Sequence, residues 1–395
     1  MSERRIRVAL VSHTARMGGA EFSLAGIAEH VDPRSVELVV VLGEDGPLKD
    51  RLRAAGVEVV VHPLDRSLVD RRKETLGAGG LAQPVALARA ARSIAGLTRL
   101  FREREIDVVH TNTLKAHLLA GPAGRLAGAR VVWHVRDHLS SPYLPSAVVP
   151  LMRLAARVLP QRVVAVSASA AATVGRDDVV VIHQGLRMPA EATERPADGR
   201  LQIGLVGRIA PWKGQDVFLE AAARLVPEFP EAEFVLAGAP LFGEEPFERE
   251  LRRQVSRLGL DDRVRFLGFC DDVWEVYREL DVVVHASTQP EPYGNVVLEA
   301  MASRRPIVAA AAGGVLELVD EGRTGLLVPP GDPGALAAAL ARLLRSPAER
   351  RRLADAGRRH VEQGFSLERD AAELEQLWRR VAVPRLTSAG HSRKS

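Results

Sequence analysis

The feature that most constrains the fold is a strict alternation of short, β-branched apolar runs with longer helical segments. Val8–Ser12, Val36–Leu42 and Val57–Val61 read as strands, with a loop and a helix from about Glu21 after the first. The alternation continues through helix Gln83–Glu105, strand Val108–His110, helix Leu114–Ala127, strand Arg130–His134 and helix Ser146–Leu159, then strands Val163–Ser167 and Val179–Ile182. Runs of four to eight apolar residues separated by helices predict parallel sheets buried on both faces, joined by right-handed crossovers. Residues 189–200 break the pattern with Pro, Gly and charge and read as a linker. The alternation then restarts with strand Leu201–Val206, helix Gln215–Val226 and strand Glu233–Ala237. A helix from about Phe247 to Leu258 follows, then strands at Val264–Leu267, Asp281–His285, Pro306–Ala309 and Gly325–Val328. Asp332 opens a helix with Pro333 just inside it, and a last helix spans Leu367–Val381. The prediction is two doubly wound α/β domains facing across a cleft, with ligands beyond the carboxyl ends of the strands.

At 395 residues and 46% hydrophobic, the chain is long enough for two such cores. A lone cysteine, Cys270, excludes an intrachain disulfide and a thiolate zinc site, and fits a reducing, cytoplasmic setting. The start, MSERRIRVALVSH, lacks a signal-peptide layout, and no apolar run reaches the ~18 residues of a membrane-spanning helix. Net charge is +4 but uneven: residues 1–190 carry 26 Lys and Arg against 18 acids. Nine cations (Arg66, Arg71, Arg72, Lys73, Arg89, Arg92, Arg99, Arg102, Arg104) against three acids lie in 66–104, a face that suits peripheral contact with anionic lipid or is simply solvated. Nucleic acid is disfavoured as a partner, because the basic excess is confined to one half and no aromatic-interleaved basic motif occurs.

Chemistry concentrates in Glu291-Pro-Tyr-Gly-Asn-Val-Val-Leu-Glu299, between the Asp281–His285 strand and a helix that Asn295 is positioned to cap. Helix N-termini favour phosphate, and a carboxylate on either side accepts hydrogen bonds from hydroxyls, the layout of a diphosphate with a sugar at each end. Glu299 lies among Val296, Val297, Leu298, Ala300, Met301 and Ala302, where an unpartnered acid is costly. The loop Gly207-Arg208-Ile-Ala-Pro-Trp-Lys213-Gly214 puts two cations at a strand's carboxyl end, an anion clamp that is neither a Walker A loop nor GxGxxG. Gly18-Gly19 lies in the loop after the first strand, and Gly313-Gly314 with Glu317 follows a later one. His110, His134 and His285 end strands. Of these, His134 stands with Arg136 and Asp137 and is either structural or part of a site; His110 and His285 read as structural. No Asp-x-Asp occurs, so no metal-binding carboxylate pair is expected.

In order along the chain, Gly207-Arg208…Lys213-Gly214, Glu291…Glu299, Gly313-Gly314-Val-Leu-Glu317 and Thr324-Gly-Leu-Leu-Val-Pro-Pro-Gly331 resemble the family 4 retaining glycosyltransferases of GT-B fold. The resemblance covers nearly the whole chain. It implies an acceptor-binding domain at 1–188, a linker at 189–200 and a nucleotide-sugar-binding domain at 201–366. It also implies a helix at 367–382 crossing back to the first domain, before a disordered tail at 383–395. It implies metal-independent transfer from a nucleotide diphosphate sugar, with no cofactor, to a glycan or lipid-linked acceptor. By resemblance Arg208 and Lys213 hold the diphosphate, Gly18 and Gly19 face it, and Glu291 meets the donor sugar. Glu299 then meets the ribose, His134 faces the reacting centre, and Tyr293, Gly294, Asn295 and Val296 complete the donor loop. Gln184-Gly-Leu-Arg187 and His134-Val-Arg-Asp137 depart from the family pattern, which bears on the acceptor. A nucleotide-sugar epimerase and a non-catalytic nucleotide-sugar-binding module are the alternatives.

Overall fold

The computed structural model describes residues 4–64, 84–189, 200–241 and 243–382. The expected tail, almost all of the expected linker, and Arg66, Arg71, Arg72 and Lys73 lie outside these residues.

Two all-parallel sheets form the framework. The first has seven strands: β1 (Ile6–Ser12), β2 (Val36–Leu42), β3 (Glu58–Val61), β4 (Val108–Thr111), β5 (Arg130–Val135), β6 (Arg162–Ala165) and β7 (Val180–Val181), in the order β3-β2-β1-β4-β5-β6-β7. The second has six: β8 (Leu201–Val206), β9 (Ala232–Ala237), β10 (Val264–Gly268), β11 (Val282–His285), β12 (Ile307–Ala310) and β13 (Leu326–Val328), in the order β10-β9-β8-β11-β12-β13. Both orders reverse at the first strand of their sheet, which opens a crevice beside β1 and β4 in one domain and beside β8 and β11 in the other. The chain therefore has the GT-B architecture, two Rossmann-like domains.

Helices cover both faces of each sheet, so the strands read as continuous apolar runs: Val8, Ala9, Leu10 and Val11 of β1 are all buried, as are Val282, Val283 and Val284 of β11. One apolar cluster joins the domains, running from Trp133 and Met152 through Ala170 to Val297, Met301 and Phe365. The last helix, Leu367–Val381, has Ser366 as its N-cap and packs Ala371, Leu374, Leu377 and Trp378 against the first domain. Its Glu375 accepts from the Asp32 N–H at 2.6 Å and from Ser35 Oγ at 2.8 Å. The chain crosses between domains twice, and the two crossings touch: Leu186 N–H donates to Phe365 O at 2.8 Å, and Gly185 N–H to Asp370 Oδ2 at 3.1 Å.

Four short helices, Pro47–Ala54, Ala168–Val174, Val273–Arg278 and Val315–Leu318, and one long one, Pro347–Gly364, have no counterpart in the sequence reading. Among the described residues, no helix is long and apolar enough to cross a membrane.

Candidate active site

The site is assembled at the carboxyl edge of the second sheet. β11 delivers His285 at its end, and the chain returns through Ser287 to Glu291. All three side chains are buried. Glu291 accepts from Lys213 Nζ at 2.7 Å and from His285 Nε2 at 2.9 Å, and Ser287 Oγ is a further partner. Burial alone would push the Glu291 carboxyl up. The Lys213 ammonium and His285 outweigh it and hold the group well below the usual carboxylate range, so Glu291 is an anion throughout the physiological range. His285, read from sequence as structural, is thus a direct partner of the central carboxylate.

The clamp loop brings both Lys213 and Arg208 to Trp212, with Lys213 Nζ 4.5 Å and Arg208 Cζ 5.7 Å from its ring centroid. Arg208 Nε lies 3.5 Å from Glu244. Thr288 N–H donates to Trp212 O at 2.9 Å and ties the loop to the end of β11.

The Asn295–Ala302 helix is not capped by Asn295. Gly294 is the N-cap, at φ +116°, a conformation closed to ordinary side chains, and Asn295 is the first helical residue. Its amide is thereby free to reach the other domain: Oδ1 accepts from Gln184 Nε2 at 3.3 Å, and a Cβ on Gly19 would lie 3.0 Å from Nδ2. Gly19 itself starts the first helix, with Gly18 as its N-cap. The glycine loop of one domain and the donor loop of the other are therefore in contact. Tyr293 points the same way and donates to Gln184 O at 2.7 Å. Val296 is half-buried. Glu299 accepts from Tyr277 Oη at 2.8 Å; burial raises its carboxyl and this bond offsets part of the effect. The partner that an acid in so apolar a helix needs is in part Tyr277.

Among the described residues, no hydrogen bond joins His134 to Glu291; their partners are separate. His134 is fully buried, and its partners assign its tautomer. Trp378 Nε1, which can only donate, reaches His110 Nδ1 at 2.9 Å, so His110 carries its proton on Nε2 and offers it to His134 Nδ1 at 3.2 Å. Arg136 Nη2, also only a donor, lies 3.3 Å from the same His134 Nδ1. His134 is therefore a neutral imidazole with its proton on Nε2, an atom with no partner among the described residues. Burial and the adjacent Arg136 push its pKa well down, which keeps the ring neutral. Past His134 and Val135, Arg136 and Asp137 are half-buried.

Sequence reasoning also missed the contacts that hold the cleft together. Ser167 Oγ donates to Pro292 O at 2.5 Å. Glu317 accepts from the Ala168 N–H at 2.9 Å, the Ser169 N–H at 3.1 Å and His183 Nε2 at 3.0 Å, all in the other domain. The only signal for Glu317 was its place in the Gly313-Gly314-Val-Leu-Glu317 motif. Among the described residues, no group of three or more His, Cys, Asp or Glu is placed to hold a metal ion.

Comparison with known proteins fits this geometry. Residues 190–360 match the model of glycosyl transferases group 1, and residues 18–191 match the glycosyl transferase 4-like domain. The chain belongs to the group 1 glycosyltransferase family. The match to a lipopolysaccharide core biosynthesis mannosyltransferase of Rhizobium leguminosarum is 37% identical over 45% of this chain and 50% of that protein. The match to the mannosyltransferase LpsB of Rhizobium meliloti is 29% identical over 66% of this chain and 82% of that one. Across most of the curated relatives it matches, the chain spans about half of their length. Among solved structures, Anabaena HepE in complex with UDP and glucose superposes with a TM-score of 0.79 at 26% identity, covering 94% of this chain and 99% of that one. Sucrose-phosphate synthase from Thermosynechococcus elongatus, at 20% identity and a TM-score of 0.77, shares the fold, with 95% of this chain and 99% of that one covered.

Proposed function

We propose that this glycosyltransferase-family chain moves a glycosyl unit from a nucleotide diphosphate sugar to an acceptor hydroxyl, with retention and without a metal ion. The observation that carries the reading is the buried Lys213–Glu291 pair at the carboxyl edge of the second sheet, beside the N-terminus of the helix that bears Glu299. Glu291 orients donor hydroxyls, Lys213 and Arg208 stabilise the charge growing on the diphosphate, and Glu299 accepts from the ribose. The bond from the anomeric carbon to the diphosphate oxygen breaks, and a bond from that carbon to the acceptor oxygen forms on the same face. The acceptor's proton passes to the leaving phosphate. His134 supports the site from below as a neutral imidazole. The UDP and UDP-glucose complexes of HepE support the donor class.

The names of the lipopolysaccharide core mannosyltransferases support a glycan, glycolipid or cell-envelope acceptor, and other relatives are named for D-inositol 3-phosphate. We place the reaction in the cytoplasm, with docking on anionic membrane through the basic first domain as a further part of the proposal. Of the basic side chains on that face, Arg99 is paired with Glu103, Arg102 donates to Leu126 O, and Arg104 is paired with Glu58. Arg89 and Arg92 are exposed.

The test is incubation with a panel of UDP-, GDP-, ADP- and dTDP-sugars. One donor is expected to be turned over with release of the nucleoside diphosphate, and NMR of the product should show the donor's anomeric configuration. Donor binding with neither hydrolysis nor transfer would leave only a binding module, and an inverted product would overturn retention.

A further inference from the structure

Two of the cations at the cleft are committed. Arg208 lies beside Glu244 and Lys213 beside Glu291. Arg136 differs. Its guanidinium bonds only neutral acceptors: Asn112 Oδ1 at 2.6 Å, Gln184 Oε1 at 2.9 Å and His134 Nδ1 at 3.3 Å. Among the described residues it has no carboxylate at ion-pair distance; Asp370, Glu21 and Asp137 act on it from farther away. A guanidinium has five N–H groups, so one N–H on each Nη is left without a protein acceptor. Burial pushes the group down to about 10, which leaves it charged at neutral pH and poorly solvated. A desolvated cation with free N–H groups favours an anion of matching fork geometry.

Its partners locate that anion. Asn112 Nδ2 donates to Ala20 O at 2.9 Å, next to Gly18-Gly19. Gln184 Nε2 donates to Asn295 Oδ1 at 3.3 Å, at the start of the Glu299 helix. Arg136 is one side chain away from each of the two segments between which a diphosphate belongs.

We propose that Arg136 is a third diphosphate-binding cation, supplied by the first domain and acting on the leaving group when the cleft is closed. The inference rests on the nucleotide-sugar reading above. It gives Arg136 the place at the reacting centre that sequence resemblance assigned to His134.

The experiment is calorimetry of the wild type, Arg136→Gln and Arg136→Lys with UDP, GDP, ADP and dTDP and with the matching monophosphates. For whichever diphosphate binds the wild type, Arg136→Gln should weaken binding roughly 10- to 100-fold, the size of a lost charged hydrogen bond. The monophosphate should be nearly unaffected, and Arg136→Lys should restore most of the diphosphate affinity. If Arg136 only tethered the domains, Lys would fare as badly as Gln, because an ammonium cannot span the same three acceptors; that result overturns the proposal. Should Arg136→Gln fail to fold, phenylglyoxal labelling of the wild type, read by mass spectrometry at Arg136, decides. Protection by the diphosphate and not by the monophosphate supports the role, and equal labelling rejects it. Wild-type binding with an unaltered Arg136→Gln sinks this inference alone. A wild type that binds none of the four diphosphates takes down the donor reading as well.

Discussion

His183 Nε2 stands 3.0 Å from a carboxylate oxygen of Glu317, and the two residues belong to different domains. The same carboxylate receives the N–H groups of Ala168 and Ser169, so one side chain of the second domain gathers three donors from the first. Glu317 belongs to the segment whose Gly314 N–H donates to Glu291 O at 2.8 Å, so the clasp and the central carboxylate share a backbone.

Glu317→Ala should therefore open the cleft without dismantling the donor pocket. Hydrogen bonds to a charged group are each worth ~1.5–3 kcal/mol; with water replacing most of what the three donors lose on opening, a net loss equal to one such bond already shifts the closed population by roughly tenfold or more. We expect kcat to fall by about that factor, the affinity for the free nucleoside diphosphate to fall with it as far as Arg136 reaches the diphosphate from the closed first domain, and the radius of gyration in small-angle scattering to rise. An unchanged kcat would show that closure does not depend on this contact.

The fold was largely legible in the sequence because both sheets are buried on both faces. Leu201–Val206 and Leu367–Val381 emerge at the residues read from the sequence, the first as an apolar run and the second as an amphipathic helix behind Ser366. Of the helices that escaped notice, Ala168–Val174 and Val315–Leu318 have at most two turns, too few to show a 3.6-residue period, whereas Pro347–Gly364 is long but so rich in Arg and acids that its apolar stripe is thin. The site was legible only as far as its motifs. Asn295 has a good capping side chain, but the left-handed turn at residue 294 decides the cap, and only glycine fits it well. The partnership of His285 with Glu291 depends on how the chain doubles back after β11. The hub at Arg136 draws on residues 112, 134 and 184, which no local pattern connects.

Asp370 gives the hinge a pH dependence. It is buried, and burial raises its carboxyl from 3.8 to about 6, with Arg136 pulling in the other direction. A carboxyl whose folded pKa is raised binds more protons in the folded state, so its contribution to stability declines as pH climbs from about 4 through about 6. Asp370→Asn should be more stable than the wild type by about 1–3 kcal/mol at pH 8, with the advantage fading below pH 6 and gone near pH 4. Urea melts across that range test the sign; an advantage that grew toward low pH would contradict it.

Metal independence is open to a direct check. On the proposed reading, Arg208 and Lys213 supply the positive charge that a divalent ion would otherwise bring to the diphosphate. Transfer should persist in excess EDTA with unchanged kcat. Loss of turnover restored by manganese or magnesium would reject the proposal.

The two glutamates should separate cleanly. Glu299 stands on the helix with Tyr277 as its protein partner, and Glu299→Gln should weaken the nucleoside diphosphate about 10- to 100-fold. Glu291 behaves differently because its carboxylate also holds Lys213 and His285. Removing it leaves a largely buried ammonium without its counter-ion, at a cost of about 3–5 kcal/mol of stability. It also frees that ammonium for the diphosphate. Glu291→Ala should accordingly melt at lower temperature, bind the free diphosphate as tightly as the wild type or more tightly, and lose transfer because the donor sugar is no longer oriented. Glu291→Gln, which keeps an acceptor oxygen for His285 or Ser287, should recover part of the stability and little of the transfer. Calorimetry beside a transfer assay reads both quantities on the same samples. If Glu291→Ala weakened the diphosphate as much as Glu299→Gln does, Glu291 would belong to the nucleotide and not to the sugar.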